Sequence, residues 1–173
     1  MIKEVVFNSW KRWIGIAIAT GFGAGFVPIA PGTAGSAISL PIAWFVFWKG
    51  GYGWLWITTL FTFIIGGWSA RIAENLLECH DSPHIVVDEM AGQLLSLCSV
   101  PCKIPNMIVG FGWFRLFDSV KPWPAGRIDR EMEGALGVML DDGAAGIYAN
   151  LVTAVMVHSG VIKVAMKWAG WGD

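Results

Sequence analysis

The chain has 173 residues, 55% of them hydrophobic and only 14% charged, with eleven tryptophans and a formal net charge of −1. Ordinary soluble domains carry roughly 25% charged residues, so this balance suits one membrane-embedded domain spanning residues 1–173. It excludes nucleic-acid binding through bulk electrostatics.

Residues 1–13 are mixed and basic, with Lys3, Lys11, Arg12, Trp10 and Trp13. They suit an amphipathic segment at a membrane surface, where Trp collects. No small-residue cleavage site follows a compact apolar core, so no exported leader is expected. From Ile14 to Ala70 the single charged residue is Lys49. Within this region GFGAGFVPIAPGTAGS, Gly21 to Ser36, carries glycines and prolines that argue against a continuous helix. Two apolar runs follow, Ala37–Trp48 and Tyr52–Trp68, divided by Lys49-Gly50-Gly51; together they read as a helical hairpin.

Residues 71–89 are polar, with Asp88-Glu89 at their end. A third apolar region, Met90–Phe117, is interrupted by Pro101, Lys103 and Pro105 and reads as a bent or re-entrant hairpin packed against protein. The last apolar run, Gly143 to about Val157, suits a spanning helix. The expected fold is thus an all-α, helical integral membrane protein with about three to four apolar hairpin or spanning segments. Placing the N-terminus, 71–89 and 115–142 on one side gathers Lys3, Lys11, Arg12, Arg71, Arg115, Lys121, Arg127 and Arg130 there, against Lys49, Lys163 and Lys167 opposite, with Lys103 assigned to neither side, an excess of eight against three or four. By the positive-inside rule the polar stretches then face the cytoplasm. Cys79, Cys98 and Cys102 have no second pair or histidine at zinc spacing and read as free and structural.

Three features have chemical potential. In PGTAGS, Pro31 to Ser36, small residues let backbone N–H groups approach an anion, with hydroxyls from Thr33 and Ser36 beside them. The plain alternative is a tight turn with one of those hydroxyls as a helix cap. In HIVVDEMAGQ, Asp88 and Glu89 point about 100° apart on a helix; they suit a metal, or equally the cap of a helix start.

The third is Arg115 to Gly146, which concentrates six of the thirteen acidic residues and four of the twelve basic ones. On a helix Arg115, Asp118 and Lys121 share a face, which Pro122 and Pro124 then end. Asp129 and Glu133 are spaced i, i+4 on the next segment, and Asp141-Asp142 opens an apolar helix. Surface ion pairs plus a cap account for any one of these pairs, but ionisable groups gathered against a membrane are functional candidates. Hard carboxylate oxygens without a His or Cys cluster suit Mg²⁺. Arg and Lys beside them suit phosphate. His80, His84 and His158 are too scattered to form a ligand set.

Taken together, GFGAGFVPIAPGTAGS, HIVVDEMAGQ and RLFDSVKPWP…IDREMEGALGVMLDDGAAG resemble the phosphatidylglycerophosphatase A family in content, order and spacing over roughly residues 20–150. The resemblance implies a Mg²⁺-dependent phosphatase of the bacterial inner membrane. It implies phosphatidylglycerophosphate as the substrate, with phosphatidylglycerol and phosphate as the products. It marks Asp88, Glu89, Asp118, Asp129, Asp141 and Asp142 as key acids, with Lys121 and the Pro31-Gly32-Thr33 segment. One or two Mg²⁺ ions are expected among Asp88, Glu89, Asp141 and Asp142, with Asp118 or Asp129 completing the shell or acting as base. Lys121 and Arg115 then neutralise the phosphate, helped by donors near Thr33 and Ser36.

Other phosphatase chemistries fail on the residues. The position six after every cysteine is isoleucine, so no Cys-x5-Arg loop exists. The histidines of a vanadium-peroxidase-like lipid phosphatase are missing. A phospholipid phosphotransferase opening of the D-G-x2-A-R type begins at Asp142-Gly143 but meets Gly146 after Ala145. A non-catalytic transporter or assembly protein, its acids lining a cation path, is the alternative from another class.

Overall fold

A computed structural model describes residues 2–77, 82–132 and 134–168; the side chains of residues 2–8 and of Asp129 lie outside that description, as do Glu78, Cys79, His80, Asp81 and Glu133 altogether. Among the described residues there are seven α-helices and no strand, as expected of an all-α chain. The helices are α1 (Ile2–Ala19), α2 (Pro31–Leu77), α3 (Val87–Ser96), α4 (Ile104–Val120), α5 (Ala125–Glu131), α6 (Ala135–His158) and α7 (Val161–Trp168). A 3-10 segment, Gly21–Phe26, joins α1 to α2.

The Lys49-Gly50-Gly51 break reverses the chain inside α2. Gly51 takes φ +66° and ψ −154°, a conformation open to glycine. The rings of Phe47 and Tyr52 meet edge-on at 4.9 Å across the bend. Farther down, the backbone at Gly35 packs on Val86 and that at Gly66 on Val87 and Met139. Along a straight helix Gly35 and Gly66 would lie roughly 45 Å apart; here they flank two consecutive valines, so the two arms lie side by side.

The hub is α3, buried along most of its length and surrounded by α2, α4 and α6. Leu94, Leu97, Cys98 and Val100 form one core with Ala43 and Leu55 of α2 and Met107 of α4. The third apolar region is therefore a short internal helix, a turn and a longer helix. Cys98 and Cys102 are buried free thiols, while Cys79 is outside the described residues.

Three local expectations need correction. The irregular stretch read over Gly21–Ser36 ends earlier, because α2 begins at Pro31. Proline lacks the N–H that a first helical position leaves unbonded, so GTAGS lies inside the helix. The face shared by Arg115, Asp118 and Lys121 stops at Asp118: Lys121 caps α4 in the left-handed conformation, φ +46° and ψ +61°. Finally, Asp141-Asp142 does not open its helix. α6 starts at Ala135, whose N–H donates to Glu74 Oε2 of α2 at 3.1 Å. A cap supplied from sixty-one residues away leaves no local signature in the sequence.

Among the described residues α2 is the one helix suited by length and composition to crossing a membrane; α6 and α7, bent by 69°, meet the same test as a pair. Trp44, Phe45, Trp54, Ile57, Leu60, Phe61 and Ile64 of α2 are all exposed. An apolar face of that extent marks contact with lipid or protein.

Candidate active site

Helices α3 and α6 run parallel and in register. Asn150 Nδ2 donates to Ser96 O at 3.1 Å, satisfying a carbonyl that the end of α3 leaves open. One turn earlier, glycine meets glycine: a Cβ on Gly146 would stand 2.5 Å from Gly92 O, and one on Gly92 would stand 2.7 Å from Asp142 O. Only hydrogen fits at either position. One turn earlier again, Asp142 faces Asp88. The same offset of 54 residues recurs down this ladder, so close backbone contact at the glycines delivers the acids to one another.

Asp88, Glu89 and Asp142 each offer a carboxylate oxygen, and these lie within 4.8 Å of one another. Asp88 and Asp142 are buried, Glu89 half-buried. Neither aspartate serves as the helix cap that the sequence left open: Asp88 lies inside the first turn of α3, which has no side-chain cap, and Asp142 lies well inside α6. Oxygens Asp88 Oδ1, Glu89 Oε2 and Asp142 Oδ2 have no hydrogen-bond partner. Burial pushes the Asp88 carboxyl well above the usual range, and the charge and hydrogen bond of Glu89 push it further. Burial also raises Glu89; its hydrogen bond with Asp88 and the Arg115 charge oppose that rise, while Asp118 adds to it. Asp118 lies close to both Glu89 and Asp142.

Four carboxylates thus face a space with one nearby guanidinium. Buried charge of one sign is strongly unfavourable unless a counter-charge joins it. Three orphaned hard oxygens are the donor set a hard divalent cation takes, so the residues fit Mg²⁺.

Arg115 links the acids to the start of α2. Its guanidinium NH1 contacts Asp118 Oδ2 at 2.9 Å and donates to Ser36 Oγ at 3.3 Å. Ser36 Oγ in turn donates to Gly32 O at 2.9 Å. Gly32 abuts Glu89 so closely that a Cβ would overlap Glu89 Oε1. Thr33 is half-buried in that same first turn, and Pro31 starts it.

Asp141, expected beside the metal, is turned elsewhere: Lys121 Nζ lies 2.7 Å from its Oδ2, and its Oδ1 accepts the Asp142 N–H at 2.9 Å. Asp129 sits on α5 with its side chain outside the described residues. His84 bonds Gly25 O and His158 bonds Ala154 O, so neither joins the acids.

Sequence reasoning missed Gly92, Ser96, Asn150 and Glu74 as supports, and fully buried Gln93, which donates to Ser96 Oγ at 2.8 Å. A signal existed for three of them. Asp88-x3-Gly92-x3-Ser96 and Asp142-x3-Gly146-x3-Asn150 repeat one spacing with small or polar residues.

Fold and site define a class: a helical, apolar chain built around a carboxylate trio, two of its members buried, beside a guanidinium and a helix start. The family model described as phosphatidylglycerophosphatase A matches residues 17–157, and the chain belongs to the phosphatidylglycerophosphatase A family. It is 33% identical over 142 residues to a phosphatidylglycerophosphatase A of Escherichia coli K12, covering 82% of each chain. It is 33% identical over 136 residues to that of Haemophilus influenzae, covering 78% of this chain and 83% of the relative. A Bacteroides thetaiotaomicron protein, named as a candidate phosphatidylinositol-3-phosphatase, is 39% identical over 149 residues, 81% of this chain and 91% of the relative. No solved structure matches the chain.

Proposed function

We propose that the chain is a Mg²⁺-dependent phosphatase of phospholipid biosynthesis that hydrolyses the terminal phosphate monoester of phosphatidylglycerophosphate to phosphatidylglycerol and phosphate. The observation that carries this reading is the meeting of Asp88, Glu89 and Asp142 with three unpartnered oxygens. Those three residues would hold the ion, which supplies Lewis-acid stabilisation of negative charge on the phosphoryl group.

The rest belongs to the protein. Arg115, braced by Asp118 and Ser36, holds phosphate oxygens, and the open N–H groups of Gly32 and Thr33 add donors at the start of α2. Asp118 takes a proton from the attacking water as its oxygen bonds to phosphorus, and returns that proton to the glycerol oxygen as the P–O ester bond breaks. Asp141 fixes Lys121, whose ammonium neutralises charge on the departing glycerol oxygen. Asp129 stays a candidate by family resemblance.

In this reading both arms of α2 and the α6 helix cross the bacterial inner membrane, while α3 and α4 pack within the bundle. The site faces the cytoplasm and admits only the headgroup of the lipid. The excess of Lys and Arg on the site's side supports that orientation.

The test is phosphate release by the purified protein in nanodiscs, with Mg²⁺ and with EDTA. Metal-dependent release from phosphatidylglycerophosphate is expected; absence of release with Mg²⁺ would favour a non-catalytic membrane protein. The name of the Bacteroides relative favours a second substrate, phosphatidylinositol 3-phosphate. It is also a phospholipid phosphomonoester. Faster turnover of that lipid in a side-by-side assay would reassign the headgroup while leaving the chemistry in place.

A further inference from the structure

The segment between α1 and α2 has a property that hydrolysis of a phosphate does not require. Every residue from Phe26 to Ala30, FVPIA, is exposed, and so is Phe22. Phe22 is 82% and Ile29 85% exposed, values that leave each side chain almost without protein contact. No charged residue lies between Arg12 and Lys49.

The backbone holds this display in place. Phe22 and Ala30 both adopt φ of +54°, a left-handed conformation that side-chain-bearing residues rarely take and that surrounding contacts must enforce. The clamps are visible. His84 Nδ1 bonds Gly25 O at 2.8 Å, the rings of Phe26 and His84 sit 5.1 Å apart, and the Val86 N–H donates to Ala19 O at 2.8 Å. At the other end the Ala34 N–H donates to Ala30 O at 3.1 Å. The loop then runs directly into Pro31 and Gly32, and Gly32 touches Glu89. Its apolar display also continues into the exposed face of α2 through Ile38, Trp44 and Phe45.

We propose that the loop of residues 21–30 is a rigid bilayer-docking element, with Phe22, Val27 and Ile29 seated among the lipid chains just below the headgroups, so that the site at Gly32 and Glu89 is held at headgroup level. The occupant is the acyl and glycerol region of the bilayer around the substrate. This rests on the lipid-phosphatase reading and adds to it a determinant of substrate capture separate from the residues that act on phosphate.

Two measurements test it. In the first, a nitroxide label at Ile29→Cys, in a Cys79→Ser background in nanodiscs, reports collisions with oxygen and with a water-soluble nickel chelate. Oxygen access exceeding nickel access is expected, and the reverse overturns the proposal whether or not the protein turns over lipid. In the second, the Phe22→Ser/Ile29→Ser variant is assayed on vesicle-embedded phosphatidylglycerophosphate. Its KM should rise about tenfold with kcat within about twofold. The inhibition constant of the deacylated headgroup should stay unchanged, and Phe22→Trp/Ile29→Phe should restore KM. A fall in kcat, or a parallel rise in that inhibition constant, would mean that the loop shapes the site, and would sink the proposal. Absence of turnover by the unaltered protein would remove the phosphatase reading and leave docking to be decided by the nitroxide.

Discussion

At position 32 the space left for a side chain is nil, because Glu89 Oε1 occupies it. Gly32→Ala should therefore displace Glu89 and weaken binding of Mn²⁺, used as an EPR-visible stand-in for Mg²⁺, by at least about tenfold. Gly53→Ala, where nothing lies within 4 Å, should leave it unchanged; equal effects at both positions would count against the contact. Asp142→Asn removes one of the three carboxylates proposed to hold the ion. It should lower turnover by about a thousandfold or more without lowering the melting temperature in EDTA. Glu131→Gln alters a solvent-exposed pair with Arg127 and should be nearly silent. The acids also set a pH dependence. Asp88 and Glu89 carry raised pKa values in the folded chain, so the fold binds their protons more tightly than the unfolded chain does. Their contribution to stability is then largest at low pH and is lost as pH rises through the folded values. In EDTA the melting temperature should rise as pH falls from neutral towards the ordinary carboxylate range near ~4. Mg²⁺ should flatten or reverse that trend, since it holds the ionised forms. A profile indifferent to Mg²⁺ would argue against ion binding by these acids.

Among elements, the α3–α6 ladder determines whether a site exists. Gly146→Ala drives a methyl group into Gly92 O and should cost about 1–3 kcal/mol of stability. The surviving folded protein should bind Mn²⁺ more weakly, because the helices separate one turn below the carboxylates. Asn150→Leu leaves Ser96 O unsatisfied in the interior and should cost about 1–3 kcal/mol in a denaturant titration. If both variants kept wild-type metal affinity, the register of these helices would not be what assembles the trio. The glycines follow from the same geometry: parallel helices in contact at their backbones cannot carry a Cβ at the crossing. That explains why residues without chemistry of their own sit one turn from Asp88 and Asp142.

Across the whole molecule, the hairpin tip and the charged site lie at opposite ends of the first arm of α2. The tip of the α2 hairpin gathers stacked Trp44 and Trp48, with Lys49 Nζ 4.6 Å above the Trp48 ring, a composition suited to a membrane interface. The acids and Arg115 gather beside the start of α2. Cysteine substitutions at Lys49 and Arg127, both exposed, should react with an impermeant maleimide from opposite sides of the membrane. Labelling from one side would reject the proposed crossing. Composition, apolar run lengths and the Lys-Gly-Gly break made the all-α class and the hairpin legible in the sequence, since these are properties of neighbouring residues. Asp88, Glu89 and Asp142, which the fold brings together, were among the acids that motif order and spacing picked out. The division of labour among them was not legible. Asp141 and Asp142 are adjacent and chemically identical, yet Lys121 engages one while Asp88 and Glu89 face the other. The caps were hidden for the same reason: α6 is started by Glu74, far back along the chain. One-dimensional order fixes which groups are available and on which face of a helix each stands. Which of them meet depends on the register of α3 against α6, set by two glycines and an amide whose partners lie 54 residues away.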